Sequence, residues 1–165
     1  MTEDHPPGLD TGALRRHLDT ARPGLAEGDL RGRLIEGGRS NLTYEVTDAA
    51  GARWVVRRPP LGHVLATAHD MRREHRVISA LHPTPVPVPE PVLLCEDEDV
   101  LGAPFYVMEY VDGVAYRTPA QLERIGPERT RATVLGLVDT LVELHAVDPA
   151  AAARRTAPGG ARSRS

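Results

Sequence analysis

Lysine is absent from this chain of 165 residues, and all twenty of its basic side chains are arginines. Aromatic residues make up only 4%, cysteine occurs once, and no apolar run approaches the length of about eighteen residues that a membrane helix needs. Each shortage excludes something. A single cysteine, Cys95, rules out an internal disulfide and fits a reducing compartment. Its setting, Val92-Leu93-Leu94-Cys95, reads as a buried structural thiol rather than a nucleophile. The acidic, proline-bearing N-terminus lacks the pattern of a secretory signal, so the expectation is a soluble, cytoplasmic protein with no membrane partner. Positive charge is also short where it would matter. Residues 1–149 hold 16 arginines against 23 acids, net −7, while the last sixteen residues carry 4 arginines and no acid. A nucleic-acid binder needs a broad basic surface, and four charges on one tail do not make one, so no nucleic-acid partner is expected.

What is present centres on Leu30 to Arg58. Period-two alternation, broken by glycine and by Asp48-Ala49-Ala50-Gly51, predicts strand, turn, strand, turn, strand. The first turn is Gly37-Gly38-Arg39-Ser40-Asn41. Two glycines, a hydroxyl and an amide between antiparallel strands suit backbone N–H groups closing over a phosphate. The same residues also make an ordinary hairpin, and the turn alone does not distinguish the two. Asn41-Leu42-Thr43 matches a glycosylation sequon, which reads as chance without an export signal.

Residues 1–8 read as a flexible leader, and Asp10 as the cap of a short helix from Thr11 to about Ala21. Past Arg58, a prolyl break precedes a helix expected from about Ala66 to Leu81, with Met71, Glu74/His75, Ile78 and Leu81 on one face. Glu74 is the odd member of that face. It either meets solvent or a local arginine (Arg73, Arg76), or it turns to the sheet and grips Arg57 at the end of the third strand. Alternate prolines from Thr84 to Pro91 make an extended connector. Val92–Glu96 and Phe105–Met108 read as further strands, joined by an acidic turn. Beyond them come a short helix near Pro119–Ile125 and a strong one from Pro127 to about Ala146, apolar at Val134, Leu137/Val138, Leu141 and Leu144. The fold class is therefore α+β: a five-stranded antiparallel sheet plus one long helix over residues 9–113, covered on one face by that helix. Residues 114–149 begin a helical lobe and residues 150–165 form a disordered Arg/Ala/Gly tail.

The order of glycine turn, strand-end cation, helix carboxylate and strand exit is that of the nucleotide half of a two-lobed kinase. The motifs GGRSNLTYEV (37–46), WVVRRPP (54–60), MRREHRVISAL (71–81), PVPVPEPVLLCED (85–97), FYVMEYVDG (105–113) and LVDTLVELHAVDP (137–149) resemble the aminoglycoside phosphotransferase and choline-kinase-like family. The resemblance is closest to the branch found alone or fused to acyl-CoA dehydrogenases. It implies a kinase-like N-terminal lobe, and transfer of an ATP γ-phosphate to a small-molecule hydroxyl with ATP and Mg2+ as cofactors. By position it implies a nucleotide site in which Gly37, Gly38, Ser40 and Asn41 form the phosphate-side loop. Arg57 is then the phosphate cation, Glu74 its partner, and Glu109, Tyr110 and Val111 the hinge at adenine. The Arg57 fork suits a bidentate grip and does not replace a lysine's flexible point charge.

The family's His-Gly-Asp catalytic loop, with its following Asn and a later metal-holding Asp, does not occur in this sequence. His145-Ala-Val-Asp148 has the wrong spacing, so no catalytic or metal residue is assigned. The change of composition after Pro149 is what a frameshifted or truncated reading frame would give. The expectation is thus the N-terminal portion of a phosphotransferase, catalytically incomplete alone. The alternatives are a non-catalytic nucleotide-binding or scaffold module completed by a lobe-bearing partner chain, and a plain α+β domain that binds nothing.

Overall fold

The structure is a computed structural model that describes residues 6–35, 41–62 and 70–156. It divides into two compact units, residues 1–78 with 89–110 and residues 79–88 with 111–165.

The first unit is built on a five-stranded antiparallel sheet: β1 (Arg31–Leu34), β2 (Leu42–Thr47), β3 (Arg53–Arg58), β4 (Pro91–Cys95) and β5 (Phe105–Glu109), in the order β1-β2-β3-β5-β4. Pro91 opens β4 at the sheet edge, where its missing N–H costs no ladder bond. Alternation sorts the side chains onto two faces. On one face Tyr44, Val56 and Val107 lie in register across β2, β3 and β5, and all three are buried. Helix α1 (Thr11–Ala21) packs into the same core through Leu14 and Leu18. Burying each leucine favours the fold by about 1.5–3 kcal/mol. Asp10 caps α1 by accepting from the Ala13 N–H at 2.8 Å.

The helix after β3 covers one face of the sheet, as expected. The apolar core lies on the α1 face, not under the helix that follows β3. That helix, α2, runs Met71–Leu81, with Asp70 capping it through the Arg73 N–H at 3.1 Å. It faces the other side of the sheet, where the rows are mixed in polarity. The acidic turn expected after β4 is instead one turn of helix, α3 (Glu98–Leu101), capped by Asp97. Cys95 is buried, and burial pushes its thiol above the ordinary range.

Arg58 is a buried cation on the α1 face. Its Nη1 donates to the Gly8 carbonyl at 2.7 Å and to the Leu101 carbonyl at 2.6 Å, joining the start of the chain and the end of α3 to β3. The Tyr44 hydroxyl adds a bond to the Pro7 carbonyl at 2.5 Å. From residue 6 onward, the segment read as a flexible leader is therefore tied to the sheet.

In the second unit, α4 (Pro119–Ala146) is two helices joined at Gly126, whose φ of 80° and ψ of 166° break the helical path before Pro127. This matches the two helices expected on either side of that point. Thr118 and Gln121 form a capping box at its start. Val134, Leu137, Val138, Leu141 and Leu144 are exposed. Helix α5 (Pro149–Thr156) follows, with Asp148 accepting from the Ala150 N–H at 2.9 Å. Residues 150–156 of the expected disordered tail are instead helical, because Asp148 supplies a cap and four alanines, 150–153, favour helix; residues 157–165 lie outside the described residues. Among the described residues, no helix is long and apolar enough to cross a membrane.

Candidate functional site

The α2 face of the sheet carries a polar row. Thr43, Arg57 and Tyr106 are direct register partners across β2, β3 and β5, so their side chains share one face. Glu74, one turn into α2, comes down onto this row. Arg57 donates from Nε to Glu74 Oε2 at 2.7 Å and from Nη1 to Thr43 Oγ1 at 3.2 Å. The Tyr106 hydroxyl donates to the same Oε2 at 3.2 Å. Asn41, buried just before β2, donates from Nδ2 to Glu74 Oε1 at 2.9 Å. Among the described residues, Arg57 Nη2 makes no hydrogen bond.

Of the two settings open to Glu74 in the sequence, the structure has the second: it pairs with Arg57 and not with Arg73 or Arg76. The two side chains are 31% and 30% exposed, so solvent weakens the pair as a source of stability. What the cluster does provide is orientation. A guanidinium held at Nε and Nη1 presents its remaining edge in a fixed direction. Beside it lies a cavity of ≈ 330 Å³ whose lining includes Arg57, Arg73, Glu74, Ile78, Tyr106 and Met108. Burial, and then the Glu74 charge, push the Tyr106 phenol well above its ordinary range, so it is protonated and donates. Burial likewise lowers His75, whose ring meets that of Tyr106 at 5.9 Å between centroids.

The other expected residues divide. Gly37, Gly38 and Ser40 lie outside the described residues. Glu109 ends β5, but its N–H already donates to the Glu90 carbonyl at 2.9 Å, and its carboxylate accepts from the Glu90 N–H at 3.2 Å. Tyr110 lies under the Arg53 guanidinium, 4.3 Å from ring centroid to Cζ, and Val111, exposed, belongs to the second unit. Among the described residues, no hydrogen bond links these three to the Arg57–Glu74 cluster. Sequence reasoning missed Thr43 and Tyr106. The signal was available only as strand register, because both sit opposite Arg57.

The donor set fits an anion rather than a metal. A partly engaged guanidinium is a phosphate-binding group, whereas the Asn41 carboxamide and the Tyr106 hydroxyl donate to Glu74. Among the described residues, no three His, Cys, Asp or Glu side chains group so as to hold a metal ion.

The family model described as "Phosphotransferase enzyme family" matches residues 31–164. Acyl-CoA dehydrogenase family member 11 of Gallus gallus is 39% identical over 143 residues, covering 85% of this chain and 18% of that protein. Acyl-CoA dehydrogenase family member 10 of Mus musculus is 35% identical over 136 residues, covering 82% of this chain and 12% of that protein. A solved structure of a putative aminoglycoside phosphotransferase from Ralstonia eutropha superposes with a TM-score of 0.68 at 30% identity, covering 87% of this chain and 40% of that one. This chain therefore spans less than a fifth of the length of those two curated relatives. With the family's model matched over most of its length and the fold shared with a solved phosphotransferase, the chain belongs to the phosphotransferase enzyme family and has its kinase-like α+β fold.

Proposed function

We propose that this chain is the nucleotide-binding portion of an ATP-dependent small-molecule phosphotransferase, which moves the γ-phosphate of ATP to a hydroxyl group. The observation that carries the reading is the Arg57 clamp: a strand-end guanidinium fixed by Glu74 and Thr43, with one edge unengaged among the described residues. Such a group meets phosphate oxygens with little loss of side-chain freedom on binding. Asn41 buttresses Glu74, and Gly37, Gly38 and Ser40 closely precede it in the sequence. Glu109, Tyr110 and Val111 are proposed as the adenine side. The Glu109 N–H already donates to the Glu90 carbonyl, so it is not among the groups offered to the base.

Magnesium, when bound with ATP, would neutralise phosphate charge. Its carboxylate ligands are not assigned to this chain, and no step is derived through it. The sequence contains no His-Gly-Asp, so the base for the acceptor hydroxyl comes from outside these residues in this reading. A second reading, a non-catalytic nucleotide-binding or scaffold module completed by a partner chain, draws on the exposed apolar residues of α4.

Calorimetric titration with ATP tests the assignment. Arg57→Ala removes charge-assisted hydrogen bonds worth about 1.5–3 kcal/mol, so affinity should fall by roughly 10- to 100-fold. Equal affinity in wild type and variant would remove Arg57 from the site. Magnesium-dependent phosphorylation of a hydroxyl compound by this chain alone would overturn the claim that the base lies elsewhere.

A further inference from the structure

We propose that Tyr106 is a positioning residue for the phosphate-side cation, its hydroxyl holding the Glu74 carboxylate and, through it, the Arg57 guanidinium. This rests on the nucleotide reading above and adds a residue to it. The argument begins with the torsional freedom of glutamate. The terminal torsion of a Glu side chain is broad, so a carboxylate gripped by one arginine N–H can still rotate about its own axis. Rotation of Glu74 would carry Arg57 with it. Three donors on two oxygens remove that freedom: Arg57 and Tyr106 on Oε2 at 2.7 and 3.2 Å, and Asn41 on Oε1 at 2.9 Å.

Tyr106 is well suited to hold one position. It is 2% exposed, its backbone is paired with Arg57 in the ladder, and its ring lies against His75 at an interplanar angle of 60°. The phenol is protonated and has a fixed acceptor. A phenylalanine would fill nearly the same volume, which separates the hydroxyl from the ring. Apolar packing accounts for the ring. It does not account for a buried hydroxyl aimed at an already paired carboxylate, since a buried hydroxyl is tolerated only with a partner.

The test uses the whole chain as wild type, Tyr106→Phe, Glu74→Ala and the double variant. Without ligand, NMR reads hydrogen exchange at Arg57 Nε–H, and thermal unfolding reads the fold. With ATP, calorimetry reads affinity. Tyr106→Phe should speed Arg57 Nε–H exchange and weaken ATP binding about three- to tenfold, the value of one hydrogen bond. The double variant should bind no more weakly than Glu74→Ala, because Tyr106 acts only through Glu74.

Additive losses, or exchange and affinity unchanged in Tyr106→Phe, would overturn the proposal while leaving the nucleotide reading intact. Accelerated Nε–H exchange with no ATP binding by any variant would sustain the clamp and overturn the nucleotide reading. Wild-type Nε–H exchange as fast as that of exposed Arg73 would overturn the clamp even if Tyr106→Phe fails to fold.

Discussion

Arg57 and Arg58 are adjacent residues with opposite assignments, and strand alternation makes them so. Arg57 faces α2 and meets a carboxylate, while Arg58 faces the core and, among the described residues, donates to carbonyls. A buried arginine that donates to main-chain oxygens satisfies groups that would otherwise be stranded without water. Arg58→Met keeps most of the apolar stem and leaves the Gly8 and Leu101 carbonyls without that donor. Urea unfolding should show a loss of about 2–4 kcal/mol, since each orphaned buried group costs about 1–3 kcal/mol. A loss under about 0.5 kcal/mol, the size expected of a surface change, would mean that water replaces the guanidinium. Nothing in the sequence marks Arg58 as the structural arginine of the pair, because that depends on which face the α1 core occupies.

Among the elements, α4 has the clearest internal logic. Pro127 cannot donate and disfavours helical backbone at the residue before it. Gly126 absorbs the break with φ 80° and ψ 166°, a region that is essentially glycine-only. A Cβ there would touch nothing within 4 Å, so Gly126→Ala is a test of backbone conformation alone. It should cost about 1–3 kcal/mol, read as lower hydrogen-exchange protection in α4 on either side of the joint. Unchanged protection would mean that the two segments bend freely. The joint was legible in the sequence, since Gly126-Pro127 states it locally. Two other features were not legible at this scale. Asp148 read as a mismatched catalytic motif and proves to be a helix cap. Helix α2 begins at Met71 after Asp70, whose capping role is a matter of hydrogen bonding rather than periodicity; residues 66–69, expected as helix, lie outside the described residues.

At the scale of the whole molecule, Asp48 ties distant parts of the first unit together. Its Oδ2 accepts from the Glu27 N–H at 2.8 Å, and its Oδ1 accepts from the Ala52 N–H at 2.8 Å, joining the loop after α1 to the β2–β3 turn. The Glu27 N–H, with further backbone donors in the turn, holds the carboxyl below its ordinary value of 3.8. A carboxylate depressed in the folded state binds fewer protons than in the unfolded chain. Its contribution is therefore present in full well above pH 3.8 and is lost as pH falls below that value through the folded pKa. Unfolding midpoints followed downward from pH 5 should decline, and Asp48→Asn should flatten part of that decline. An equal slope in wild type and Asp48→Asn would show that the loop contact is absent in solution.

Local pattern alone determined the strands, the helix after β3, the Gly126–Pro127 joint and the family to which the motifs belong. Each of these is written in neighbouring residues, as alternation, spacing or the chemistry of glycine and proline. Tertiary structure decided which sheet face carries the core, that Thr43 and Tyr106 join Arg57, and that Glu74 takes donors from three elements. Those outcomes depend on strand register and on the packing of α1, which bring together side chains more than thirty residues apart, as with Tyr106 and Glu74. A short-range pattern carries no information about such pairings, because hydrogen-bond partners are chosen by distance in space and not by distance along the chain.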